Sequence, residues 1–421
     1  LSFSSLFIPL MYDWYYLSIS DCSSISFLHY FVGQSEKSKV KSELRVPSQA
    51  KYILSLFIVM AFQARTNAQG CVAIRTVGGL NTMEHAMHNM MMHDSTSKKI
   101  EAPKWDLNIS ARYFKSYRHY NGTTEVTQRV SEETDVRNFS RAMDISLVRR
   151  INEQWSVGIN LPLAYNERTS LYEHVSNAKG SPRFSTYSQG IGDIRITAYK
   201  WVIAPKAGNK GNLLAGVGLK LPTGNYKASD VFHNTLTTTR VGPVDQSIQL
   251  GDGGLGVSIE LNGFRSINNT WSLYSNTYYL INPRGNNGVS TARGGVATAS
   301  AIKYTSDVMS VPDQYLLRAG TNWTSNAFTL SMGARYECIP AKDLIGDNTG
   351  FRRPGNVLAI EPGANYSYKN FNFYLYAPVA IRRERPQSYP DILKTNDTKV
   401  FSRGDAAFAD YTISLGFGYR F

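Results

Sequence analysis

From residue 104 onward the chain switches between apolar and polar at every second position. In 105–113, Trp105, Leu107, Ile109, Ala111 and Tyr113 alternate with Asp106, Asn108, Ser110 and Arg112. In 155–165, Trp155, Val157, Ile159, Leu161, Leu163 and Tyr165 alternate with Ser156, Gly158, Asn160, Pro162 and Ala164. A period of two sends neighbouring side chains to opposite faces, so each segment reads as a strand with one apolar and one polar face. The pattern recurs at 139–149, 192–203, 212–222, 253–264, 271–281, 314–324, 327–338, 356–368 and 371–382. It closes the chain at 409–421, where Tyr411, Ile413, Leu415, Phe417, Tyr419 and Phe421 form the apolar set. About twelve strands of roughly 10–13 residues result, long enough to cross a bilayer when tilted. Soluble strands are nearer 5–6 residues.

The connections point the same way. The segments 120–138, 166–191, 223–252, 282–313, 339–355 and 383–408 are long, and those between them are short. Outer-membrane barrels combine short periplasmic turns with long external loops, and an even strand count brings both barrel ends to the periplasmic side. Trp105, Tyr113, Trp155, Tyr165, Trp271 and Trp323 fall near strand ends, where an interfacial girdle belongs. Hydrocarbon offers no hydrogen-bond partner to the backbone, so a spanning sheet must close on itself. A β-sandwich would have to mate its long apolar faces, and a propeller would need a blade-length repeat, which is not visible. The expected fold is therefore all-β: an antiparallel transmembrane barrel of about twelve strands, with a short N-terminal plug or periplasmic segment.

Composition narrows the function. No window holds the roughly 18 uninterrupted apolar residues of a spanning helix, and 42% hydrophobic content with only 18% charge is unlike a disordered chain. Three cysteines, Cys22, Cys71 and Cys338, are too few for a disulfide scaffold. The net charge of +13 comes from scattered basic residues rather than a run, so no nucleic-acid partner is expected.

The sequence starts at Leu1, and 1–50 shows no period; it is read as a non-native or disordered extension. In 51–68, Lys51, an apolar run from Tyr52 to Phe62 and Ala68 at a cut site make a secretory signal peptide. Residues 1–68 hold six Lys/Arg and four Asp/Glu, so the remaining chain stays basic at +11. Residues 69–103 are read as a periplasmic or plug segment, and 104–421 as the barrel.

The end Gly416-Phe417-Gly418-Tyr419-Arg420-Phe421 resembles the C-terminal signal that the barrel-assembly machinery reads in bacterial outer-membrane proteins. A narrower likeness lies in Gly190-Ile191-Gly192-Asp193-Ile194-Arg195, in Gly216-Val217-Gly218-Leu219-Lys220-Leu221-Pro222-Thr223-Gly224, and in Gln249-Leu250-Gly251-Asp252-Gly253-Gly254. This order is similar to the outer-membrane family named for phenol meta-pathway degradation. The resemblance covers about residues 100–421, and Gly251-Asp252-Gly253 stands where a closer member has Gly-Thr-Gly. It implies an outer-membrane transporter of aromatic or hydrophobic compounds, and it brings no catalytic residues.

With apolar positions facing lipid, the lumen receives Asp106, Arg112, Asp144, Asp193, Arg195, Glu260, Arg318, Arg335, Glu337, Glu361 and Arg420. Mixed charge there either fills and rigidifies a narrow tube or selects a passing solute. Twelve strands are too few for the open bore of a larger porin, so passage calls for a plug shift, a kink or a side opening. Gly158, Gly216, Gly218 and Gly320 would mark kinks or thin a crowded wall.

Met83–Asp94 carries His85, His88 and His93 among five methionines. Imidazole and thioether groups suit copper, and imidazole alone suits zinc, while a Met-rich stretch also serves as an apolar plug. No other cofactor is expected. A lipid hydrolase would need a serine beside a histidine; no strand carries that pair, and His174-Val175-Ser176, which has the spacing, lies in a loop, so no enzyme is expected. The expected function is passive passage of a small, hydrophobic or aromatic solute through the outer membrane. The alternative is a structural or adhesive surface barrel.

Overall fold

The computed structural model describes residues 104–205 and 209–421. The readings of 1–50, 51–68 and 69–103, including His85, His88 and His93, lie outside the described residues. Twelve strands run up and down: β1 (Trp105–Asn121), β2 (Arg137–Arg150), β3 (Trp155–Ser170), β4 (Phe184–Ile191 and Arg195–Trp201), β5 (Gly211–Lys220) and β6 (Gly256–Ser266). They continue as β7 (Trp271–Ile281), β8 (Gln314–Ser325), β9 (Phe328–Ile339), β10 (Gly355–Tyr368), β11 (Phe371–Tyr376 and Val379–Glu384) and β12 (Ala406–Ala409 and Ile413–Arg420). Each pairs antiparallel with its sequence neighbours, and β12 returns to β1 from Asp106↔Arg420 to Tyr113↔Ile413. The seam is tied by reciprocal bonds, Trp105 N to Phe421 O at 2.9 Å and Phe421 N to Trp105 O at 3.0 Å. This is a closed twelve-stranded barrel.

The period of two sorts side chains as the pattern requires. On β6, Val257, Ile259 and Leu261 are 39–45% exposed on the outer wall, while Ser258, Glu260 and Asn262 are fully buried inside. The outside is an apolar face for lipid. At one end the turns are short and two share one device. Asn152 Oδ1 accepts from the Gln154 and Trp155 amides at 2.9 and 2.8 Å, and Asn268 Oδ1 accepts from Thr270 and Trp271 at the same distances. Such Asx turns satisfy the backbone locally and start the next strand on an exposed tryptophan. Trp271 faces Trp323 across β7 and β8, and Lys200 and Arg149 lie over Trp155 and Trp105, as in a headgroup-level girdle.

The interior is filled. Tyr199 lies against Gly158 and Gly216, and Tyr274 against Gly320, so these strand glycines make room for rings. The backbone stays in register at these positions, so they thin the wall and do not kink it. Tyr374 over Gly416 and Tyr376 over Gly363 repeat the arrangement. A Cβ there would overlap the ring.

Four strands depart clearly from the expected bounds. The pattern predicts one strand over 192–203 and a loop over 166–191, but β3 and β4 rise together to Ser170 and from Phe184. This outer part of the hairpin has the polar sequence Ser185-Thr186-Tyr187-Ser188-Gln189 and so lacks an apolar face. Residues 192–194 interrupt β4. β11 breaks at Ala377-Pro378, where proline has no amide hydrogen for the ladder, and β12 breaks at 410–412.

Gly416→Val pushes Tyr374 off its seat and lowers stability by about 1–3 kcal/mol. Urea unfolding in detergent micelles reads this as a lower midpoint; an unchanged midpoint contradicts the ring-on-glycine packing.

Candidate solute pathway

The lumen charges assemble into groups set by strand register. Arg318 and Arg335 meet at Glu361, with Arg318 Nε at 2.6 Å and Arg335 Nη1 at 3.2 Å, and Arg335 also reaches Glu337 through Nε at 3.1 Å. Arg420 Nε donates to Asp106 at 2.5 Å beside the seam. Arg195 stands 3.6 Å from Glu260 and 4.9 Å from the Tyr278 ring centre, and Tyr199 OH donates to Glu260 at 3.3 Å. Asp144 is buried within the field of Arg112 and Arg195. These groups fill the barrel between the β4 break and the short-turn end.

Asp193 has a different place. It sits in the β4 break, where its carboxylate accepts from the Gly224 amide at 2.9 Å and the Asp252 amide at 3.1 Å. Lys220 bonds Asp252 and lies 3.7 Å from Asp193. Thr223 Oγ1 accepts from Ile194 N at 2.8 Å and donates to Gly192 O at 3.0 Å. The three glycine-rich stretches singled out in the sequence therefore form one clasp. Their glycines are needed for close approach: a Cβ on Gly224 would stand 2.8 Å from Leu250 O, and one on Gly251 2.5 Å from Asp193 Oδ1.

Above the clasp, the long loop 221–255 turns back into the barrel. Its 3-10 turn Gln246–Ile248 is capped by Asp245, whose side chain accepts from Ser247 N. Ile248 O accepts from Ser188 Oγ on β4, and Gln246 Nε2 donates to Ser310 O at 2.8 Å. Asp245 also receives both terminal nitrogens of Arg353 at 2.8 Å. Burial would raise the Asp245 carboxyl, but Arg168 and Arg353 more than reverse this and hold it well below the usual carboxylate range. Among the described residues, this inserted turn occupies the bore.

Two cavities lie near this turn, which lines the inner one. The outer one, about 560 Å³, is enclosed by the loops and by the helix α1 (Tyr389–Thr398), which a Ser388–Asp391 capping box starts. The inner one, about 130 Å³, is lined by Arg112, Asp193, Lys220, Leu250 and, at the break, Gly192. Arg353 lines both. Arg353, held by Asp245, thus borders both.

Sequence reasoning placed the strand charges but missed Lys220, Asp245, Asp252 and Arg353. The loop residues carry no period; the only available signal was the tandem Arg352-Arg353, of which Arg352 locks the loop through Asp343 at 2.6 Å. The described histidines bond no serine hydroxyl. His119 accepts from Val136 N at 2.9 Å through Nε2, so its Nδ1 donates to Asp405 at 3.0 Å. His174 Nδ1 accepts from His233 N at 3.1 Å, between Phe184 and Phe232.

A closed barrel with a lipid-facing apolar wall and a charged, filled bore is the fold of bacterial outer-membrane β-barrels. No family model matches the sequence, and no curated protein does. Among solved structures, an outer-membrane channel from Pseudomonas putida F1 aligns with a TM-score of 0.51 at 12% identity, covering 78% of this chain and 100% of that one. The translocator domain of autotransporter NalP from Neisseria meningitidis aligns at 0.39 and 13%, covering 81% and 94%. The Ralstonia pickettii toluene transporter TbuX aligns at 0.36 and 10%, covering 79% and 93%. The first of these shows the shared fold.

Glu361→Ala leaves Arg318 and Arg335 buried with one carboxylate fewer and destabilises the barrel by about 3–5 kcal/mol. A denaturation midpoint equal to the native one refutes the network's role. A second prediction concerns pH. Burial, with help from the His233, Arg240 and Arg293 charges and against Glu173, pushes the His174 imidazole down to about 4. Its folded pKa is below its unfolded value, so its contribution is complete above about pH 6.5 and is lost as pH falls towards 4. Amide protection factors in the hairpin Ser229–His233/Thr239–Pro243, corrected for the intrinsic slowing of exchange in acid, should fall across that window, by at most about tenfold per pH unit. His174→Phe should flatten the response, and an unchanged response in that variant contradicts the assignment.

Proposed function

We propose that the chain is an outer-membrane channel that passes small hydrophobic or aromatic solutes passively, as the family named for phenol meta-pathway degradation is thought to do. The observation that carries this reading is the pair of stacked cavities joined at Arg353, the inner one reaching the interruption of β4. A solute collects in the outer cavity, passes when the Arg353–Asp245 pair parts, and reaches the clasp at Asp193. Below that level the bore is filled by buried ion pairs, so the easier exit is sideways.

The wall offers such an exit. The outer piece of β4 pairs with β3 but not with β5, which ends at Lys220. Between them stand Gly192, Asp193 and Ile194, held by the side chains of Asp193 and Thr223 and by two isolated backbone bonds, Gly192 N to Pro162 O and Leu221 N to Ile194 O, each 2.8 Å. Parting these few bonds opens the wall towards hydrocarbon, where an apolar solute is favoured. The driving force is the solute's own gradient, and the C-terminal strand ending at Phe421 is the segment we assign to the barrel-assembly machinery.

Phenylnaphthylamine fluoresces on reaching hydrocarbon and is held back by a lipopolysaccharide leaflet. Vesicles with that leaflet outermost should take it up faster with the protein than without it. Asp193→Ala, which releases the clasp, should raise the rate several-fold. Uptake no faster than in protein-free vesicles refutes the channel and favours a structural or adhesive surface barrel.

A further inference from the structure

The outer cavity is lined by six cations, Arg129, Arg168, Arg293, Arg353, Arg385 and Lys394, and by two carboxylates, Asp391 and Asp405. Just behind this surface, Glu173 pairs with Arg168 at 3.0 Å and Arg293 at 3.3 Å, and Asp245 pairs with Arg353 at 2.8 Å. All four carboxylates sit in ion pairs. Although burial opposes it, the His119 bond and the Arg129 charge hold Asp405 down at about 2. Four anions against six cations leave a surplus of two positive charges around a half-open recess. Several kT of positive potential concentrate in such a low-dielectric recess.

The surplus has an identifiable donor. Arg385 is only 3% exposed, its Nη2 donates to Asp391 at 3.1 Å and its Nη1 to Pro386 O, yet its Nε has no hydrogen-bond partner. A buried N–H on a charged group is costly to leave unpaired, so the site is completed by an acceptor. Lys394, exposed on α1 at the same cavity, adds a cation with no carboxylate of its own among the described residues. The remaining lining includes the rings of Tyr172, Tyr304 and Phe351. A volume of about 560 Å³ falls in the usual range for small-molecule sites.

From these observations we propose that the outer cavity is a binding site for aromatic carboxylates, the carboxylate taken by Arg385 and Lys394 and the ring by the cavity's aromatic side chains. A planar guanidinium suits a carboxylate, and charge-assisted bonds in a recess are stronger than neutral ones. The inference concerns capture at the outer cavity and rests on the channel reading for its physiological use. The site itself stands on the cavity alone.

Calorimetry on the full chain refolded in detergent tests it, with benzoate, benzyl alcohol, acetate and inorganic phosphate as probes. Benzoate should bind at least about tenfold more tightly than benzyl alcohol, and more tightly than acetate or phosphate. The preference should shrink as salt is raised. Arg385→Gln should weaken benzoate about tenfold or more, and Lys394→Gln, on the exposed side of α1, several-fold. Should Arg385→Gln fail to fold, Lys394→Gln alone decides. Equal affinity for benzoate and benzyl alcohol overturns the anion site, and equal affinity for benzoate and acetate overturns its aromatic part. Phenylnaphthylamine uptake without benzoate binding refutes this site and leaves the channel. Benzoate binding without uptake refutes the channel and leaves the site.

Discussion

Every backbone amide that enters hydrocarbon must carry its hydrogen-bond partner with it, and the remainder of this structure follows from that constraint. Closing β12 onto β1 removes the sheet's edges and fixes an inside and an outside. Once the wall is closed, alternate side chains have no choice of environment. One set meets lipid and is apolar. The other set is crowded into a narrow bore, where charge is tolerated only if it is paired.

That crowding explains the composition of the interior. Buried arginines and carboxylates form shared pairs, as at Glu361, and tyrosines lie over strand glycines because a twelve-stranded tube leaves little room for both partners to be large. The filled bore has a consequence for passage. Where the ladder is complete, the wall is sealed and the lumen is occupied; where β4 is interrupted, Asp193 and Thr223 supplement two isolated backbone bonds. The same place receives the re-entrant loop and the inner cavity.

Much of the barrel was legible because half of each spanning strand touches lipid and so writes its period into the sequence. Val257, Ile259 and Leu261 alternate with Ser258, Glu260 and Asn262 for that reason. The outer reach of the β3–β4 hairpin was not legible: its inner face packs on polar loop groups such as Ile248 O, and its outer face, with Ser185 and Gln189, carries no continuous apolar set over 184–191. The lumen charges could be placed from the pattern, but their pairing depends on register across strands far apart in sequence, as between Arg318 and Glu361. Asp245 and Arg353 were invisible, since loops have no period and their partnership spans 108 positions. Gly192, Gly224 and Gly251 stood out only through the family resemblance, and the clasp now gives them a physical reason.

The central claim is the strict division of alternate residues between lipid and bore. Single cysteines placed in turn at 257–262, in a background lacking Cys22, Cys71 and Cys338, can carry a fluorophore in bilayers of brominated lipid. The account predicts strong quenching at 257, 259 and 261 and weak quenching at 258, 260 and 262. Uniform quenching along the series, or none at all, would contradict it.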